Sequence, residues 1–189
     1  MAVRPIAQIG HPVLRTPTTE ITPDELRSQA IQQLIDDMVD TMRDANGAGI
    51  AANQVFESVR IATIEVTSNP RYPYKPPIPL TVLVNPTWTP IDDELVTINE
   101  GCLSVPLRGD LQRHVRIEVT YLDRHGTPQR AVKRGLTAGT FQHEIDHLDG
   151  SLIVDRIDPR TLATWEQFDA HQRAGFVERI TGFVERVGS

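Results

Sequence analysis

The chain has 189 residues and a mass of 21.1 kDa, with 19 Lys+Arg against 25 Asp+Glu, a formal charge of −6, and one cysteine. That length fits a single domain over residues 1–189, at roughly 100–200 residues per domain, large enough to bury a core without covalent staples. One cysteine excludes an internal disulfide, the acidic balance has the wrong sign for generic nucleic-acid binding, and no apolar run reaches the ~18 residues of a membrane span.

Met1-Ala2-Val3-Arg4-Pro5-Ile6 lacks the apolar stretch and small-residue cleavage site of a secretory signal, so a cytoplasmic location is expected. The first predicted element is a helix over 23–44. Thr22 can cap it, Pro23 suits its first position, and Glu25 completes a capping box. Leu26, Ile31, Leu34, Ile35, Met38, Val39 and Met42 keep the spacing of one buried face, and Asn46-Gly47 supplies a stop.

The middle of the chain reads as β structure. Val59–Val66, Leu80–Val84, Glu94–Ile98 and Val115–Tyr121 are short runs rich in Val, Ile, Thr and Leu, and a turn at 123–126 leads to a further strand at 129–133. Residues 69–79 hold five of the 14 prolines and read as a rigid surface connection, with no proline-motif core and basic flank to mark a partner ligand. A second helix is predicted from Leu136 to about Asp149, ended by Gly150. A C-terminal helix follows over about 159–187, where Leu162, Trp165 and Phe168 recur at core spacing. Its Arg173, Arg179 and Arg186 alternate with Glu178 and Glu185, as on a solvated face.

Gln142-His143-Glu144-Ile145-Asp146-His147 contains H-E-x-x-H. Histidines four apart on a helix share a face and can reach one ion, while Glu144, about 100° round from His143, can touch a water beside it. Such an arrangement suits a divalent ion that acidifies a water, with a carboxylate to take the proton. The remaining histidines, His11, His114, His125 and His171, have no such spacing and are expected to be ordinary surface groups.

Two histidines leave an ion short of a ligand. A metzincin would place a third histidine at position 153, which is Ile. Glu166 would serve in a thermolysin-like site. Cys102 is the other candidate, although a solitary cysteine is more often a small buried hydrophobe.

Glu100-Gly101-Cys102-Leu103-Ser104-Val105-Pro106, together with the histidine segment through Leu148, strongly resembles the peptide deformylase family. Gly47-Ala48-Gly49-Ile50-Ala51-Ala52-Asn53-Gln54 is similar to that family's first motif, and the three occur in the family's order. Asn85-Pro86 and Arg108 are similar too, and the likeness runs over residues 5–157. The resemblance implies Cys102, His143 and His147 as ligands of one divalent ion, Fe²⁺ by preference, with Zn²⁺, Ni²⁺ or Co²⁺ able to substitute. It implies Glu144 as acid/base, with Gln54 and the Leu103 backbone N–H as oxyanion donors. Gly47, Ala48, Gly49, Glu100, Leu136, Gly139 and Thr140 would meet the substrate.

The implied reaction removes the N-formyl group from the initiator methionine of new polypeptides, releasing formate, close to the ribosome and without nucleic-acid specificity or a membrane. An exposed thiolate on iron would be oxidation-prone, so a reducing cytosol becomes a requirement. Family members carry larger apolar residues around Gly139 and Thr140, so a wider or differently shaped methionine pocket is expected. The fold expected is α+β, with antiparallel sheets around a central metal-binding helix. Two other readings compete: a thermolysin-like metallopeptidase using Glu166, and a non-catalytic peptide- or metal-binding relative.

Overall fold

The computed structural model describes residues 2–67 and 74–188, and residues 69–73 of the proline-rich connection fall outside them. The first helix begins where its sequence signals lie: Thr22 accepts from the Glu25 N–H, and Glu25 reaches back to the Thr22 N–H. It is split, however, into α1 (Pro23–Arg27) and α2 (Gln29–Asp44). Between them Ser28 is extended (ψ 146°) and caps the second helix at Ile31 N while its hydroxyl donates to Glu25 O. A serine that bonds local backbone competes with helix continuation, which is why the single predicted helix becomes two.

Seven longer strands and one short one follow or interleave: β1 (Gly49–Ala51), β2 (Ile61–Val66), β3 (Ile78–Pro90), β4 (Leu95–Cys102), β5 (Val105–His114), β6 (Arg116–Leu122), β7 (Pro128–Arg134) and β8 (Ala163–Thr164). They form an antiparallel five-stranded sheet in the order β1-β2-β3-β6-β7 and a three-stranded sheet in the order β4-β5-β8. β3 starts at Ile78, so the end of the predicted connection is strand, and it runs on through a bulge at Asn85-Pro86. There Asn85 takes a left-handed φ of 50° and its amide bonds both Ile21 N and Ile21 O, tying the entry of α1 to the sheet.

β5 is absent from the sequence expectation. Its Pro106, Arg108, Gly109, Asp110 and Arg113 argue against a strand by propensity. It forms because Arg108 and Arg113, both buried, find partners: Asn99 for Arg108, and Glu100 and Asp146 for Arg113.

The remaining helices are α3 (Gly135–Leu148), α4 (Trp165–His171) and α5 (Arg173–Val187). The continuous C-terminal helix expected over 159–187 is therefore broken: Pro159–Thr161 is a short 3₁₀ turn, Thr164 caps α4, and Gln172 separates the last two helices. The arginines of α5 do not all face solvent alone, since Arg179 pairs with Asp110 and Arg186 with Glu94.

On β3, Val82 and Val84 join the cluster around α2 while Leu83 joins the one around α3. Alternate strand residues point to opposite faces, so α2 and α3 cover the two sides of the larger sheet. Every residue of α3 except His143 is buried. α5 packs Phe176, Ile180 and Phe183 against Leu136 of α3 and Ile98 of β4. The metal-motif helix thus lies in the interior of an α+β fold, as expected from sequence. Among the described residues, no helix is long and apolar enough to cross a membrane.

Candidate active site

A buried helix with polar residues all round must satisfy each of them. Gln142 bonds the backbone N–H and C=O of His114, Thr140 donates to Leu136 O, and Asp146 is paired with Arg113 and Arg156. His143 and Glu144 are left to face the cavity, and His147 to face Cys102. Gly150 (φ 76°) ends the run, in a conformation that a side chain would strain, and a Cβ there would lie 2.7 Å from Arg15 O.

The tight hairpin at Leu103-Ser104 pairs Cys102 with Val105 and presents the cysteine to α3. Its Sγ lies 3.2 Å from His147 Nε2, and the donor atoms of Cys102, His143 and His147 all fall within 4.8 Å of one another. Burial pushes the Cys102 thiol up, but the His147 and His143 imidazoles and their hydrogen bonds outweigh it and bring it to about 5. The sulfur is then thiolate at neutral pH, with the Ser104 N–H 3.3 Å away to support it. Cys102 is buried, contrary to the expectation of an exposed thiolate.

Glu100 stands behind His143, its Oε2 2.9 Å from Nδ1. Arg113 grips the same carboxylate with Nε at 2.9 Å and Nη2 at 2.8 Å. Although burial works against it, this guanidinium and His143 hold Glu100 well below the usual carboxylate range. For His143 burial is outweighed by Cys102, Glu100 and Glu144, which raise its pKa. Anchoring Nδ1 on a carboxylate directs Nε2 toward the cysteine and the second histidine. Glu100 is thus seated behind a histidine rather than simply facing a substrate.

Glu144 is buried, and burial raises its pKa above the ordinary carboxylate value. Its Oε2 and His147 Nδ1 have no hydrogen-bond partner among the described residues. Gly49 of β1 is packed so close that a Cβ there would lie 2.5 Å from Glu144 Cδ. Gln54 is held through its Oε1 by the Ala51 N–H at 2.9 Å, which points Nε2 at Ser104 Oγ (2.9 Å) and at Cys102 Sγ (3.7 Å). The neighbouring Asn53 donates from Nδ2 to His147 O at 2.6 Å, joining the glycine segment to the end of α3.

A soft thiolate, two imidazoles with one already oriented, and a buried carboxylate oxygen without a partner fit a divalent ion. Glu166 is exposed on α4 and does not join this cluster.

Gly47, Ala48, Gly49, Gln54, Glu100, Cys102, Leu103, Leu136, Gly139, Thr140, His143 and Glu144 all line one cavity of about 90 Å³, while His147 lies buried beneath it. Sequence reasoning missed Tyr74, Lys75, Ile98, Asn99, Gly101 and Phe176 in its wall, and it took Trp165 as core packing alone. Trp165 is half-buried: it sits under Gly101, and the Arg108 guanidinium lies 4.3 Å above its ring. The other histidines behave mostly as expected, but His114 is half-buried and packs against Trp88 at 5.7 Å.

The family model for polypeptide deformylase matches residues 3–163. Peptide deformylase 2 of Nostoc sp. is 44% identical over 155 residues, covering 82% of this chain and 86% of that relative. Peptide deformylase 2 of Xanthomonas axonopodis pv. citri is 42% identical over 160 residues, covering 84% and 89%. Among solved structures, the Met-Ala-Ser-bound class I type b peptide deformylase from Acinetobacter baumannii superposes with a TM-score of 0.80 at 40% identity, covering 82% of this chain and 99% of that one.

Proposed function

Because this chain belongs to the polypeptide deformylase family and is a peptide deformylase, an enzyme removing the N-formyl group from new peptides, we propose residue roles for that reaction here. Cys102, His143 and His147 hold a divalent ion, and Glu144, Gln54 and Leu103 work beside it. The observation that carries the assignment is the convergence of three donor atoms within 4.8 Å, two of them on the wall that Glu144 and Gln54 share. When bound, the ion supplies Lewis acidity that brings a water's pKa toward neutrality.

The protein groups divide the remaining work. Glu144, enclosed and with its pKa raised, takes the proton of the attacking water at its carboxylate and delivers it to the departing amine. Gln54 Nε2 and the Leu103 N–H donate to the formyl oxygen as negative charge develops on it, a donor of this kind being typically worth about 3–4 kcal/mol. Gly47, Ala48 and Gly49 receive the peptide backbone at the β1 edge, and Leu136, Gly139 and Thr140 border its first side chain. Glu100 acts through His143 and lines the same cavity.

Fe²⁺ is the ion proposed, with Zn²⁺, Ni²⁺ or Co²⁺ able to substitute, and the mixed sulfur–nitrogen donor set supports each of them. The substrate is an N-formylmethionyl peptide, met in the cytoplasm close to the ribosome. The whole chain acts as one catalytic domain, supported by the packing of α5 on α3. The test is formate release from a formyl-Met peptide by protein loaded with Ni²⁺ or Fe²⁺, with Glu144→Ala as control. Release no greater than the control overturns these roles.

A further inference from the structure

Tyr74 and Phe176 line the cavity from outside all three motifs, and the reaction steps above leave them without a task. Phe176, Ile180 and Phe183 keep the spacing of one helical face and form a buried stripe along α5. Of these, Phe176 lines the cavity, whereas Phe183 borders a separate surface groove with Leu95, Val96 and Arg186. Phe176 is 4% exposed and stands between two other rings. Tyr74 meets it edge to face with centroids 5.2 Å apart, and Phe168 of α4 does so at 5.8 Å. Pro76 and Pro77 restrict the backbone that delivers Tyr74. Rings packed edge to face favour one arrangement, so Phe176 presents a fixed surface to the cavity.

The metal-motif helix leaves this part of the wall to other elements. Gly139 has no side chain, and a Cβ there would stand 3.1 Å from Ile98 Cδ1, so Ile98 of β4 takes up the space beside it. Leu136, three residues earlier on the same face of α3, packs in one buried cluster with Ile98 and Phe176. All three line the cavity. Its apolar wall is therefore assembled from β4, α3 and α5, next to the glycine that gives up its own share.

We propose that Phe176 is a specificity-determining residue whose ring closes the pocket for the first side chain of the formyl peptide and limits the length of unbranched side chain that the pocket accepts. Methionine and norleucine, equal in length, fit in front of the ring, and each further methylene meets it. The inference rests on the deformylase reading of this site and concerns only the choice among formyl peptides. Overfilling a close-packed site forces side chains off their preferred rotamers, and a ring wedged between Tyr74 and Phe168 yields little. Removing the ring opens room in which the added methylenes leave water.

The test compares kcat/KM for formyl peptides differing only in the first residue: methionine, norleucine, 2-aminoheptanoate and 2-aminooctanoate. Wild type, Phe176→Ala and Phe183→Ala are measured in parallel, each loaded with Ni²⁺. Phe183 belongs to the same stripe and cluster but does not line the cavity, so its variant loosens α5 without opening the pocket. In wild type kcat/KM falls beyond norleucine. In Phe176→Ala the 2-aminooctanoate-to-norleucine ratio should rise on the order of tenfold, while Phe183→Ala keeps the wild-type ratio. A ratio unchanged in Phe176→Ala, raised equally in Phe183→Ala, or already near one in wild type overturns the inference. If Phe176→Ala does not fold, Phe176→Leu takes its place, and an unchanged ratio there overturns it as well. Formate from none of the four with wild-type protein overturns the deformylase reading itself, a result distinct from unchanged ratios.

Discussion

Glu100 Oε2 sits 2.9 Å from His143 Nδ1, on the side of the ring away from Cys102. A carboxylate in that place fixes the tautomer and strengthens the other nitrogen as a ligand, and Arg113 keeps the carboxylate itself from turning. Replacing Glu100 by Ala is expected to weaken ion retention by roughly 10–100-fold. Chelator competition against protein loaded with Zn²⁺ measures this, and unchanged retention would show that the pair is merely structural.

Glu144 is expected to matter to turnover and little to the ion. Glu144→Ala should lower kcat by about 10²–10⁴-fold while metal analysis still finds one ion per chain. Loss of the ion in this variant would make Glu144 a ligand and remove it from the proton-transfer role.

The nearness of Gly49 to that carboxylate gives a sharper probe. A methyl group at 49 would meet Glu144 Cδ at 2.5 Å, so the carboxylate must shift. A displacement of about 1 Å can cost on the order of 100-fold. Gly49→Ala should therefore reduce kcat on that scale with the ion retained. A fall in substrate affinity with kcat unchanged would instead place the effect on peptide docking.

Cys102→Ala should abolish ion retention, whereas Glu166→Ala should leave it intact, because Glu166 is exposed on α4 and outside the donor cluster. The reverse pattern would restore the thermolysin-like arrangement.

Far from the site, Asp37 of α2 accepts from Gln33 Nε2 (2.9 Å), Ala2 N (2.9 Å) and Arg4 Nε (3.1 Å). Led by the Gln33 bond and opposed by burial, these donors hold its pKa below the ordinary 3.8. A carboxyl depressed in the folded state stabilises the fold above its unfolded value and loses that contribution as pH falls through the folded one. Asp37→Asn is expected to cost about 2 kcal/mol at neutral pH, or roughly 4–8 °C in Tm. Calorimetry across pH should show the gap closing below about pH 4; a gap independent of pH would mean the charge is not what matters.

The capping box at Thr22 and Glu25 and the helix carrying H-E-x-x-H were legible in the sequence as local patterns, whereas Cys102 stood out only through the resemblance of residues 100–106. The break at Ser28 was not, since helix periodicity continues straight across it. β5 was hidden because its buried arginines make sense only once Asn99, Glu100 and Asp146 are beside them. Lys75, Trp165 and Phe176 escaped for the same reason: nothing within five residues of any of them refers to the cavity. Gly139 was visible as an anomaly, but Ile98 and Lys75, which shape the space beside it, lie far off in the chain.

Phe176 lies beyond residue 163, where the family match ends, yet it forms part of the wall around the reacting groups. Part of the cavity wall is thus supplied from outside the family match, while Leu136, Gly139 and Thr140 of the same wall lie within it. A substitution at Phe176 therefore reshapes that wall while leaving Cys102, His143, Glu144 and His147 in place.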